Sequence, residues 1–171
     1  METYNALEKA WIASFGSTDT ELILKALYEV RNSGSVKILP EILKLVNYRS
    51  NTEIINEIIS LISELKSPDA VPVIARVLKE RDFDDYQNAI VAACWQSGLD
   101  FSSHLKVFAE LFIQGDYRTA LEAFTVIEES LGNATEDEIY NCINFLREAK
   151  CMVSDDKLPL YKELQKVVEQ Y

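Results

Sequence analysis

The 171-residue chain carries 17 Lys and Arg against 28 Asp and Glu, a formal net charge of −11, with 48% apolar and 26% charged residues and only five Gly and four Pro. This is the profile of one folded, mostly helical domain. A disordered chain is not expected from this composition, and neither a disulfide nor a metal is needed at a length that buries roughly 70% of the unfolded surface. The acidic balance argues against nucleic acid, whose phosphates are bound by Lys and Arg, and favours a basic partner; no apolar run nears the roughly 18 residues of a membrane span, and the polar Met-Glu-Thr-Tyr-Asn start lacks a basic region followed by an apolar one, so a soluble, cytoplasmic protein is expected.

Apolar residues at i, i+3 and i+4 predict helices, in chain order, over 3–14, 19–32, 35–47, 52–65, 68–80, 84–96, 102–113, 117–131, 136–150 and 157–170. The fold class is all-α, with about ten helices in five antiparallel pairs. The pairs repeat with a period of about 32 to 34 residues. Among the first helices, Leu7, Leu39, Val71, Leu105 and Ile139 form one column, Ala10, Ile42, Ile74, Phe108 and Cys142 a second, and Trp11, Leu43, Ala75, Ala109 and Ile143 a third. Among the second helices, Ile23, Ile55, Gln87 and Ala120 align, as do Ala26, Ile58, Ile90 and Ala123; Leu27, Ile59, Val91 and Phe124; and Val30, Ile62, Cys94 and Ile127. Only Gln87 is polar. A fixed period of this length means stacked units, so residues 1–171 form a single repeat domain with units near 1–34, 35–66, 67–98, 99–132 and 133–171.

Local chemistry marks the same boundaries. Asn32-Ser33-Gly34, Leu65-Lys66-Ser67, Gln96-Ser97-Gly98 and Ser130-Leu131-Gly132 each follow a periodic segment, and three of them end in the Gly expected just past a helix. Ser67 is an expected N-cap with Pro68 in the first turn, and Thr135-Glu136-Asp137-Glu138 has capping-box spacing. Pro40 and Pro72 share one phase of their units, which predicts a repeated bend inside a helix. The last unit departs from the pattern, as a terminal cap with one neighbour should.

These prolines, with the run Ser67-Pro68-Asp69-Ala70-Val71-Pro72, resemble the HEAT-repeat family, particularly the short HEAT-like repeats also found in phycobilisome lyases. The resemblance covers the whole chain by period and is specific mainly in the second and third units. HEAT units typically carry an Asp in the turn and a basic residue early in the second helix. Here only Asp116 and Arg118 match both, while Glu53 and Asp85 stand where the Arg would be. The resemblance implies a right-handed α-α superhelix, a HEAT-like solenoid whose second helices line a concave surface, and a scaffold or adaptor role. It also admits chromophore handling by a lyase, and a DNA glycosylase, which the negative charge opposes.

On such a surface the outward columns are Glu21, Glu53, Asp85 and Arg118; Lys25, Glu57, Ala89 and Glu122; and Leu24, Asn56, Asn88 and Leu121. Trp95 stands where sister units have Arg31, Ser63 and Glu128, and Tyr28 where they have Ser60, Ala92 and Thr125. Exposed Trp and Tyr bury much area for few rotatable bonds. The expected partner-binding residues are therefore Tyr28, Glu53, Asn56, Glu57, Asp85, Asn88, Trp95, Arg118 and Glu122.

No catalytic residue, cofactor or metal is indicated. Asp82, Asp84 and Asp85 lack the spacing, Gly and closing Glu of a calcium loop. His104 has no second ligand at zinc spacing, and nothing places it beside Cys94 or Cys151 as a base. Cys94 and Cys142 lie in apolar columns and are expected to be buried, reduced thiols. The leading expectation is a non-enzymatic protein-binding scaffold or adaptor with an acidic face, as a monomer or a weak homo-oligomer. An immunity or inhibitor protein that occupies a basic toxin or nuclease fits the same size and charge. A self-associating repeat would use the terminal Tyr161 and Tyr171.

Overall fold

A computed structural model describes residues 4–33, 35–48, 51–80, 83 and 86–171. Among the described residues ten α-helices follow one another: α1 Ala6–Phe15, α2 Thr20–Ser33, α3 Leu39–Tyr48, α4 Thr52–Ser63, α5 Ala70–Glu80, α6 Gln87–Ser97, α7 Leu105–Gln114, α8 Tyr117–Leu131, α9 Glu136–Glu148 and α10 Leu158–Val168. The described residues contain no strand. Gly34 and the acidic residues Asp82, Asp84 and Asp85 lie outside the described residues.

Side-chain caps start several helices. Asn5 and Glu8 form a capping box on α1, Thr135 and Glu138 another on α9, and the Asp116 carboxylate accepts from Thr119 N–H at 2.8 Å to open α8. The backbone N–H and the hydroxyl of Thr119 hold the Asp116 carboxyl below its ordinary pKa. Glu8 is lowered in the same way, by the Asn5 backbone N–H and then by the Ser35 hydroxyl.

The helices α3, α7 and α10 begin later than periodicity predicts because a 3-10 turn precedes each, over Val36–Ile38, Ser102–His104 and Asp155–Lys157. The later start changes the meaning of the prolines. Pro40 is the second residue of α3 and Pro72 the third of α5. The first four N–H groups of a helix have no intrahelical acceptor, so neither proline removes a hydrogen bond and the expected internal bend has no cause. Ser67 and Pro68 likewise belong to a turn ahead of α5, their carbonyls accepting from Ala70 and Val71.

Of the boundary glycines described, Gly98 alone has a left-handed backbone, at φ 69°, while Gly132 stays right-handed at φ −62°. Gly98 N–H closes α6 onto the Trp95 carbonyl at 3.1 Å. A Cβ there meets no atom within 4 Å, so Gly98→Ala should cost only the conformational strain, about 1 kcal/mol in urea unfolding. Gly132→Ala should cost less than half of that.

The helices pack in two series. In the even series α2 touches α4, α4 touches α6, α6 touches α8 and α8 touches α10; in the odd series α1 touches α3, α3 touches α5, α5 touches α7 and α7 touches α9. Links such as α1 to α2, α3 to α4, α7 to α8 and α9 to α10 join the two. One continuous cluster of buried side chains extends from Trp11 to Val168. The aligned columns fill it: Ile42, Ile74, Phe108 and Cys142 are all fully buried, as are Ile58, Ile90 and Ala123. The first unit departs from its own columns, because Leu7 is 54% exposed and Ala10 is exposed as well. α1 touches α2 and α3, and its Leu7 and Ala10 positions face solvent.

At the other end, Lys157 is buried at 3% exposure. Its ammonium donates to the carbonyls of Phe112, Ile113 and Gly115 at 3.0, 2.7 and 2.8 Å, closing the C-terminal end of α7 from a residue just ahead of α10. Beside it Tyr161 is fully buried, its ring 6.5 Å from that of Phe112 and its hydroxyl donating to the Leu146 carbonyl at 2.7 Å. Tyr161 is therefore a core residue and is not available for self-association; Tyr171 is exposed.

Candidate functional site

All the expected partner-binding residues that are described fall on the even series: Tyr28 on α2, Glu53, Asn56 and Glu57 on α4, Asn88 and Trp95 on α6, Arg118 and Glu122 on α8. Asp85 lies outside the described residues. Tyr28 is 62% exposed and Trp95 38%; Glu53, Asn56 and Arg118 are exposed, while Glu57, Asn88 and Glu122 are half-buried. Leu121, at 43% exposure, adds a further apolar group to the α8 face.

Two of the residues are brought together. The Trp95 indole N–H donates to Glu122 Oε2 at 2.8 Å, so the ring leans from α6 onto α8 and keeps part of its area in solvent. Glu57 is engaged elsewhere: Arg31, reaching from α2, pairs with Glu57 at 2.9 Å and Glu64 at 3.3 Å and donates to the Ser60 hydroxyl at 3.2 Å. Arg31 and Trp95 occupy one register of their units, and Glu57 and Glu122 another. The same bridge to the next even helix is thus built twice, once with a guanidinium and once with an indole. Alignment showed each residue's column but not these pairs. A donor one unit back from an aligned carboxylate is the signal that would have found them.

Burial pushes the thiols of Cys94 and Cys142 up to about 12, far from a nucleophilic thiolate. Burial lowers the pKa of half-buried His104, with Glu138 opposing. Among the described residues no group of three or more His, Cys, Asp or Glu could hold a metal ion. Gln87, the polar member of an apolar column, is buried; its Oε1 accepts from the Phe83 N–H at 2.8 Å, while its Nε2 has no hydrogen-bond partner among the described residues. An open cleft of about 550 Å³ lies between α7 and α9, with Lys106 over the Phe145 ring and Asn141, Asn144 and Glu148 along it. No helix among the described residues is long and apolar enough to cross a membrane.

No protein-family model matches the chain. No curated protein matches it. Among solved structures, a de novo designed 16-helix transmembrane nanopore determined by cryo-EM aligns with 96% of this chain and 60% of its own, at 16% identity and a TM-score of 0.26. The chain spans less than two thirds of that protein, and a likeness at this level carries no argument about fold or function.

Proposed function

We propose that the chain is a non-enzymatic, HEAT-like α-solenoid that binds a basic protein on the surface of its even-numbered helices. The two packing series support the solenoid reading, since each helix meets its counterpart one unit along. On this reading α2, α4, α6 and α8 line the concave face of a right-handed superhelix.

The single observation that carries the binding reading is Trp95. Held to the next unit by Glu122, it still exposes 38% of its surface among acidic and amide side chains. A ring fixed by a hydrogen bond loses little freedom on binding, which is what an interface anchor requires. Glu53 is better suited than Glu57 to steer a basic partner, because it is exposed while Glu57 neutralises Arg31.

The test is recovery of partners from native lysate by the intact chain and by a Trp95→Ala, Glu53→Lys variant, identified by mass spectrometry. Recovery by the intact chain of a protein with excess Lys and Arg, reduced at least tenfold by the variant, supports the reading. Equal recovery by both, or capture only of acidic proteins, sinks it.

A further inference from the structure

Two clefts open at equivalent places between even helices. The first, about 180 Å³ between the ends of α2 and α4, is lined by Val30, Arg31, Leu61 and Glu64 among others. The second, about 110 Å³ between the ends of α6 and α8, is lined by Trp95, Asp100, Val126, Glu129 and Asn133 among others. Leu61 and Glu64 stand one before and two after Ile62, as Val126 and Glu129 stand around its aligned counterpart Ile127. The clefts are therefore one site repeated, with Arg31 in the first where Trp95 lies in the second.

They differ in charge. In the first, the chain's own guanidinium reaches Glu64 at 3.3 Å and Glu57 at 2.9 Å. In the second, the carboxylates Glu129 and Asp100 and the nearby Glu122 remain, but no Lys or Arg lines the cleft. Glu122 receives an uncharged indole N–H, and Asp100 a backbone N–H from Ser102 at 2.9 Å. Among the described residues no Lys or Arg pairs with Glu122, Glu129 or Asp100 within 4.0 Å. Lys66 donates to the Ser97 carbonyl at the end of α6 but does not line the cleft, and exposed Arg118 sits one turn from Glu122 on α8.

We propose that the second cleft takes an arginine side chain of the partner, its guanidinium stacked on the Trp95 ring and paired with Glu129. The partner thereby supplies the group that Arg31 supplies in the first cleft. This assignment rests on the reading of the even face as the binding surface. A guanidinium fits better than an ammonium because it is planar, stacks on aromatic faces and presents several donors to carboxylates on two sides.

The probe is the peptide acetyl-Arg-Arg-Arg-amide, with the lysine and citrulline peptides of the same length as controls, titrated into isotopically labelled full chain and followed by NMR. The chain has two tryptophans, and buried Trp11, whose indole N–H is bound to Glu29, is an internal reference. Expected is a saturable shift of the Trp95 indole resonance and of the Asn133 amide, with Trp11 unmoved. Affinity should fall about fivefold or more with the lysine peptide, and the citrulline peptide should leave the resonances in place. Glu129→Gln should weaken the arginine peptide about fivefold, and Trp95→Arg, which rebuilds the first cleft's internal pair, should abolish the Asn133 shift. Both changes are at exposed positions, and the amide spectrum reports whether the fold persists. Shifts confined to other residues of the even helices overturn the cleft and leave the acidic binding face standing. Equal binding of the lysine peptide overturns the guanidinium, and no shift at any concentration overturns the cleft and the binding face together.

Discussion

Replacing Lys157 with methionine should lower the free energy of unfolding by about 3 kcal/mol, although methionine matches the aliphatic stem. The loss lies in the acceptors. Three carbonyls at the C-terminal end of α7 receive their hydrogen bonds from this one ammonium, and Phe112, which owns the first of them, is itself fully buried. A buried acceptor left without a donor costs about 1–3 kcal/mol, and some rehydration through the end of the stack reduces the sum. The charge is costly to hold as well: burial lowers the pKa of Lys157, and Asp156 and Asp116 oppose that shift. Because the folded pKa is depressed, the unfolded chain binds this proton more tightly, so the Lys157 contribution to stability grows as pH rises through the folded pKa toward the ordinary 10.5. Urea unfolding of both proteins at neutral and alkaline pH measures the two effects. The intact chain should be the more stable at neutral pH, and its margin should widen on the alkaline side. A difference below about 0.5 kcal/mol at neutral pH would show that water satisfies the three carbonyls and that Lys157 does not hold the last unit in place.

Helix existence and phase were legible in the sequence because the periodic positions are the ones that lose water. Ile42, Ile74, Phe108 and Cys142 share a column and a burial state despite four different packing environments. What the pattern could not show is which columns find a neighbour: Leu7 reads as core and stands in solvent. Apolar spacing places helix starts too early where a 3-10 turn, as at Val36–Ile38, or a hydrogen-bonded turn, as at Ser67 and Pro68, precedes the helix, and a proline of the true first turn then looks like an internal bend. The candidate surface was legible as a set of exposed registers, and its energetics were not. Whether Glu57 is free or bound depends on the separation of two stacked helices, a tertiary quantity, and the same separation sets Trp95 on Glu122. Lys157 reads as an ordinary charged residue at a helix start until α7 is placed beside it.

Truncating Phe108 to alanine should cost about 3–5 kcal/mol, and truncating Leu7 to alanine less than about 0.5 kcal/mol, although the repeat gives both positions the same standing. Phe108 is fully buried in α7, and its ring meets the edge of Phe101 at 5.2 Å and 78°. Removing it takes away the transfer energy of a phenyl group and the edge-to-face contact, and it leaves a cavity between units that have packed neighbours on both sides. Ala10, aligned with Phe108, is exposed, so that position on α1 is not part of the core. Leu7 lies beside it with 54% of its surface already in water, so truncation there exposes little that was hidden. Urea midpoints at constant slope separate the two outcomes. A large cost at Leu7 would mean that something covers α1 in solution, such as a second copy of the chain, and unfolding midpoints that rise with protein concentration would identify it.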